Sequence, residues 1–164
     1  FLKNMIFGKK KNMVFRNLIP LNESAKTRQH LEGTITGGNL RILQSSLKTS
    51  WELKAKGKIL FIEDVAERGY SVDRMLEQMF QAKIIDKDLK ALVFGDFTDG
   101  LEKDGRDLTP DALKRFADRV KYPVLKGLPA GHGPDINYPI PFNTNCTLDL
   151  GRSCRLTCTY GGEP

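Results

Sequence analysis

The chain has 164 residues, 40% hydrophobic and 28% charged, which is enough apolar material to bury one core and too little for two. No apolar run approaches the roughly twenty residues that cross a bilayer, so the expectation is a soluble protein with no membrane partner. The formal net charge of +6 is uneven: residues 1–58 carry twelve Lys or Arg against three acids, whereas the remainder carries fourteen against seventeen.

A basic first third, including Lys9-Lys10-Lys11 and Arg16, fits a nucleic-acid or phosphate surface, or else a solvated face. No aromatic residues interleave with the lysines, which favours the solvated face and no nucleic-acid partner. The chain opens at Phe1 rather than at methionine, and Met5-Ile-Phe7 is too short for the apolar centre of a secretory signal. The expectation is an internal piece of a longer protein.

In chain order, Met13-Val-Phe15 and Leu18-Ile19 read as short extended segments, and Pro20 through Thr27 as a polar loop. Thr34-Ile-Thr36 leads into Gly37-Gly38-Asn39, after which Leu40, Ile42, Leu43 and Leu47 recur at helical spacing. That glycine pair marks a strand-to-helix corner, either tight turn chemistry with a cap or an anion site at a helix start. Lys58 to Val65 is the strongest strand signal, since Ile59-Leu-Phe-Ile62 is continuous enough to be buried on both faces. Ser71 reads as the cap of a helix that places Val72, Met75, Leu76 and Met79 on one stripe.

Leu89 to Phe97 is a second buried strand ending in Gly95-Asp96-Phe97, and Asp99 to Asp107 is a surface loop. Thr109-Pro-Asp-Ala-Leu starts a helix that runs to about Val120, with Thr109 as cap and Pro110 at the first helical position. Tyr122 to Gly127 is a short strand feeding Gly127-Leu-Pro-Ala-Gly-His-Gly133. Beyond Tyr138 the pattern turns β-like, and Gly151-Arg152-Ser153 joins two segments into a terminal hairpin. Alternating strands and helices with a β-rich end define an α/β domain of mixed strands.

Cys146, Cys154 and Cys158 lie in the last nineteen residues, and an odd number rules out a complete intramolecular disulfide framework. Cys154 and Cys158 on one strand would be about 13 Å apart, beyond disulfide reach, so free thiols are expected. A zinc site needs paired ligands at short spacing with histidines, and the chain holds only His30 and His132; no metal is expected.

Two positions concentrate the chemistry. Glu63, followed by Asp64, leaves a buried strand at its carboxyl end, and His132 sits between glycines after another strand, at what the alternation makes the same edge. A carboxylate that accepts from one imidazole nitrogen fixes the tautomer and leaves the other to take a proton from a nucleophile. The alternatives are that Glu63 caps a turn or pairs with Arg68 or Lys87, and that His132 is an ordinary loop histidine. Ser45, Ser46, Ser50, Ser71 and Ser153 have no nucleophile elbow around them.

The series Gly37-Gly-Asn-Leu40, Ile59-Leu-Phe-Ile-Glu-Asp-Val65, Tyr70-Ser-Val-Asp-Arg-Met-Leu76, Val93-Phe-Gly-Asp-Phe97 and Gly127-Leu-Pro-Ala-Gly-His-Gly-Pro134 resembles the carboxyl-terminal domain of the LD-carboxypeptidase family. These are serine peptidases that include murein tetrapeptide carboxypeptidases and microcin C self-immunity enzymes. The resemblance covers about residues 31–150. It implies a swivelling β/β/α domain over residues 31–164, with residues 1–30 as the passage from a missing amino-terminal domain that carries the serine. It implies Glu63 as catalytic acid and His132 as catalytic base, with no cofactor and no metal. It further implies a peptidoglycan tetrapeptide substrate that loses its terminal D-alanine during cytoplasmic murein recycling, a homodimer, and no activity for this fragment alone. Two other readings stand beside it: a microcin-type peptidase that cleaves aminoacyl nucleotides, and a non-catalytic binding domain that uses the basic first third.

Overall fold

In the computed structural model, which describes residues 3, 5, 7, 11–134 and 136–160, the elements run β1 (Asn12–Pro20), α1 (Glu23–Lys26), β2 (His30–Asn39), α2 (Leu40–Ser45), β3 (Ile59–Val65), α3 (Gly69–Gln81), β4 (Ala91–Thr98), α4 (Thr109–Arg119), β5 (Val124–Lys126), β6 (Asn145–Asp149) and β7 (Cys154–Thr159). The strands close into a barrel in the order β1-β5-β4-β3-β2-β6-β7. Strands β2 to β5 are parallel neighbours, linked by crossovers that carry α2, α3 and α4, whereas β1, β6 and β7 join antiparallel. The fold is thus mixed α/β, and its β-rich end closes the sheet on itself. No helix among the described residues is long and apolar enough to cross a membrane.

Strand β3 shows why the central apolar run is continuous. Successive side chains of a strand point to opposite faces. Ile59 and Phe61 enter the barrel interior with Ile35, Val93, Leu125, Leu148 and Leu156. Leu60 and Ile62 enter a second core against Val72, Leu76 and Met79 of α3 and Phe116 of α4. Each face of β3 therefore serves a different core, and all four residues from Ile59 to Ile62 are buried. Glu63 shares its parity with Ile59 and Phe61, which sets it at the barrel mouth, while Asp64 turns to the helix side.

Local chemistry departs from expectation at both helix starts. Ser71 is the third residue of α3, not its cap; the helix begins at Gly69, and the Ser71 hydroxyl donates to Glu67 Oε2 at 2.6 Å. Thr109 is the first residue of α4, and its backbone N–H is satisfied by Asp107 Oδ1 at 2.9 Å. Asp107 thus accepts from a first backbone donor of α4, whereas α3 starts without a side-chain cap bond. The stretch Pro20 to Thr27 contains the one-turn helix α1. Residues 12–26, assigned by resemblance to an interdomain passage, contribute β1 to the barrel wall, with a register shift between Phe15 and Leu18. The hairpin of β6 and β7 forms as expected, and all three cysteines are free and buried.

A buried knot missed by sequence reasoning ties these layers together. Asn22 is 5% exposed; its Nδ2 donates to Ala117 O at 3.0 Å and Tyr122 O at 2.9 Å, and its Oδ1 accepts from Ala25 N at 3.2 Å and Val124 N at 3.1 Å. One amide thus joins α1, the end of α4 and the start of β5. Each buried backbone group left unsatisfied costs about 1–3 kcal/mol. Asn22→Ala is therefore expected to lower stability by roughly 2–4 kcal/mol, read as a lower urea midpoint at unchanged slope.

Candidate active site

The strand ends converge at the carboxyl edge of β2, β3 and β4. In register, Asn39 lies opposite Glu63 on β2, and the β3–β4 pairing slips between Ile62 and Asp64, which leaves Gly95 and Asp96 facing the single residue Glu63. Such a bulge bends the strand and re-aims side chains at its end. It delivers Asp96 to the loop that carries His132.

Glu63 Oε2 lies 2.7 Å from His132 Nδ1 across a sequence separation of 69 residues. The carboxylate is 8% exposed and the imidazole 50% exposed. Among the described residues the partner of Glu63 is His132, neither Arg68 nor Lys87. With Nδ1–H donating to the carboxylate, Nε2 is the nitrogen left to exchange protons at the half-open side. The hydrogen bond that the imidazole donates to Glu63 raises it above its usual range, helped by the charges of Glu63, Asp64 and Asp96 and opposed by slight desolvation.

The loop 127–134 is gripped on both sides. Asp96 Oδ2 accepts from Gly133 N at 3.1 Å, Asp96 N donates to Ala130 O at 3.0 Å, and Thr98 Oγ1 donates to His132 O at 3.3 Å. Asn137 completes the ring: its Oδ1 accepts from Gly131 N at 3.2 Å and its Nδ2 donates to Gly131 O at 2.5 Å. Burial raises the Asp96 carboxyl above its ordinary value, against the Gly133 N–H and the nearby imidazole. In the sequence Gly95-Asp96 reads as a strand end and as part of one of the family-like motifs, with no role for Asp96, and nothing singles out Thr98 or Asn137. The available signal was an acid set after a glycine at the end of a doubly buried strand.

Asp64 plays a different part from Glu63. Its Oδ1 accepts from Asn39 Nδ2 at 2.8 Å and from Val65 N at 2.8 Å, and its Oδ2 accepts from Arg41 N at 3.1 Å. Asn39 Oδ1 in turn accepts from Ile42 N at 3.1 Å, so the glycine-pair corner is a cap locked to β3. Of the two readings of that corner, turn chemistry with a cap is the one present. An Arg41–Glu67 ion pair stands next to it.

The glycine before His132 is required by space. Gly131 has φ +130°, and a Cβ there would lie 2.8 Å from Glu63 Oε2 and 2.9 Å from Glu63 Cβ. Gly131→Ala is therefore expected to break the Glu63–His132 bond and return the imidazole toward an ordinary value of about 6.5. Histidine ring signals followed by NMR across pH would show this; an unchanged titration would refute the packing argument.

Barrel and pair together define an α/β domain that carries a hydrogen-bonded histidine–glutamate pair at the mouth of its sheet. The chain belongs to the family described as the LD-carboxypeptidase C-terminal domain, whose model matches residues 32–148. It is 41% identical over 155 residues to a provisionally named carboxypeptidase of Rickettsia conorii, covering 94% of this chain and 47% of that protein. It is 31% identical over 135 residues to the murein tetrapeptide carboxypeptidase of Pseudomonas aeruginosa, covering 82% and 43%. Among solved structures, the muramoyltetrapeptide carboxypeptidase from Oxalobacter formigenes superposes with a TM-score of 0.80 at 30% identity, over 99% of this chain and 56% of that one. The microcin C7 self-immunity protein shares the fold, with a TM-score of 0.68 at 22% identity over 88% and 41%. The chain spans about half the length of the curated relatives it matches.

Proposed function

We propose that this chain is the acid-and-base domain of a serine carboxypeptidase that removes the terminal D-alanine from murein tetrapeptides. The observation that carries the reading is the 2.7 Å bond between Glu63 and His132, two residues inside the stretch that matches the family. In this reading His132 Nε2 takes the proton of a serine contributed by another part of the protein as that serine attacks the scissile carbonyl. Glu63 holds the imidazole and stabilises the imidazolium. His132 then returns the proton to the leaving D-alanine amine, and water repeats the cycle on the acyl-enzyme. No step requires a metal or cofactor.

The barrel corresponds to the swivelling domain of the family. Residues 1–30 serve both as the passage from an amino-terminal domain and, through β1, as part of the barrel wall. The protein acts as a cytoplasmic homodimer in peptidoglycan recycling, and these 164 residues alone lack turnover because they lack the nucleophile.

The test is to incubate the intact protein with a tetrapeptide ending in diaminopimelyl-D-alanine, or its lysine counterpart, and in parallel with an aminoacyl sulfamoyl adenosine. Release of D-alanine supports the proposal. Cleavage of the nucleotide alone would move the protein to the microcin-type activity, and turnover of neither substrate by the intact protein would favour a non-catalytic binding domain.

A further inference from the structure

One cavity among the described residues lies far from the Glu63–His132 pair. It is an open basin of about 820 Å³ whose lining includes Arg16, Arg28, His30, Asp149 and Arg155. His30 begins β2 and Asn39 ends it, so nine steps of about 3.3 Å put the basin roughly 30 Å from the acid–base pair along the barrel. The basin uses part of the basic first third that the peptidase reading leaves unexplained.

Its construction follows from strand register. His30 pairs with Asp149 across β2 and β6, and Asp149 pairs with Arg155 across β6 and β7. The side chains repeat that order: Asp149 Oδ1 lies 2.7 Å from His30 Nδ1, and Asp149 Oδ2 accepts from Arg155 Nη2 at 2.6 Å and Nε at 3.0 Å. Cys146, Leu148, Cys154, Leu156 and Cys158 fill the inner faces of these strands, so the row of polar groups lies on the outside. Arg16 arrives at the irregular point of β1, next to Asn17 with φ 60°. Arg28 arrives from the segment before β2 and packs along Gly151.

The charges do not balance within the basin. Three guanidinium groups face one carboxylate, and among the described residues neither Arg16 nor Arg28 has a hydrogen-bond or ion-pair partner for its guanidinium. The hydrogen bond that His30 makes to Asp149, reinforced by the charges of Asp149 and Glu32 and opposed by slight desolvation, raises the imidazole above its ordinary range. Glu32, 3.6 Å from His30 Nε2, is the second acid facing the imidazole.

We propose that this basin binds a small phosphorylated molecule, with Arg16, Arg28 and Arg155 around the phosphate and His30 beside it. A phosphate monoester carries about −1.5 to −2 and three acceptor oxygens, which the unpartnered forks of Arg16 and Arg28 and the N–H groups of Arg155 not bonded to Asp149 can share. A carboxylate offers two oxygens and one charge and leaves part of the excess unmatched. The volume falls within the roughly 300–1,000 Å³ of small-ligand sites, which leaves room for a sugar-sized group beyond the phosphate. The assignment is independent of the peptidase reading, since it uses none of the residues at the barrel mouth.

The test is calorimetric titration of the intact protein with inorganic pyrophosphate, glucose 6-phosphate and, as a neutral control, glucose. Saturable binding of a phosphate compound and none of glucose is expected; binding of pyrophosphate alone would mean that the site reads the phosphate and not the sugar. Arg28→Gln and the Arg28→Gln/Arg155→Gln double variant should each weaken binding at least tenfold. Arg28 bonds to no other described group, so its single variant keeps the fold if the double one does not. The Glu63→Gln/His132→Ala variant should bind as the parent does. Absence of saturation at millimolar ligand, binding unaltered by Arg28→Gln, or binding lost with the barrel-mouth variant instead would overturn the proposal.

Discussion

His132→Ala is expected to reduce D-alanine release by the intact protein about 10⁴- to 10⁶-fold, as removal of the general base does in serine hydrolases whose triads act as a unit. The loss should fall on kcat rather than KM. The imidazole is half exposed, and its loop is held through backbone groups of Ala130, Gly131, His132 and Gly133 rather than through the ring. The ring itself contributes little to packing, so the stability cost should be limited to about 1–3 kcal/mol for the nearly buried Glu63 carboxylate left without its partner. Turnover within tenfold of the parent would remove His132 from the chemistry altogether.

Glu63→Gln is expected to cost about 10⁴-fold in kcat, since an amide keeps the shape but no longer stabilises the imidazolium or enforces its tautomer. It also moves the pH profile in a direction that can be worked out. In the proposed reaction the base acts as neutral imidazole, so activity should fall as pH drops through the pKa of His132, which the bond and charge of Glu63 hold above 6.5. Removing the negative charge lowers that pKa toward its ordinary value. The acidic limb of the kcat/KM profile should accordingly shift to lower pH while the plateau collapses. A limb that stays in place, or moves up, would show that Glu63 does not govern the titration of His132.

Asp96 shows how the barrel supports this pair without touching it. Its carboxylate holds Gly133 N, and its position depends on the bulge that sets two residues of β4 opposite Glu63. A strand pattern in one dimension shows where β4 ends; it does not show that β4 has one residue more than its neighbour at that point. Asn22 and Asn137 escaped notice for the same reason. Each joins backbone groups through a single amide, and an isolated asparagine in a polar stretch looks like any surface residue.

From residue order alone, the doubly buried runs at 59–62 and 91–94, the glycine-bounded histidine loop, the terminal hairpin and the free thiols were legible, because period, punctuation and cysteine spacing are local properties. The resemblance of several motifs in order led to Glu63 and His132, while spacing alone left Arg68 and Lys87 open as partners of Glu63. Tertiary structure decided the rest. Closure of the sheet into a barrel depends on β1 pairing with both β5 and β7, a long-range register that no local pattern encodes. That closure separates the polar groups into two ends. One end holds Glu63, Asp96 and His132 together across the mouth; the other gathers Arg16, Arg28, His30 and Arg155 from segments up to 139 residues apart. Proximity between distant residues follows from which strands become neighbours, and those pairings join segments far apart in the chain.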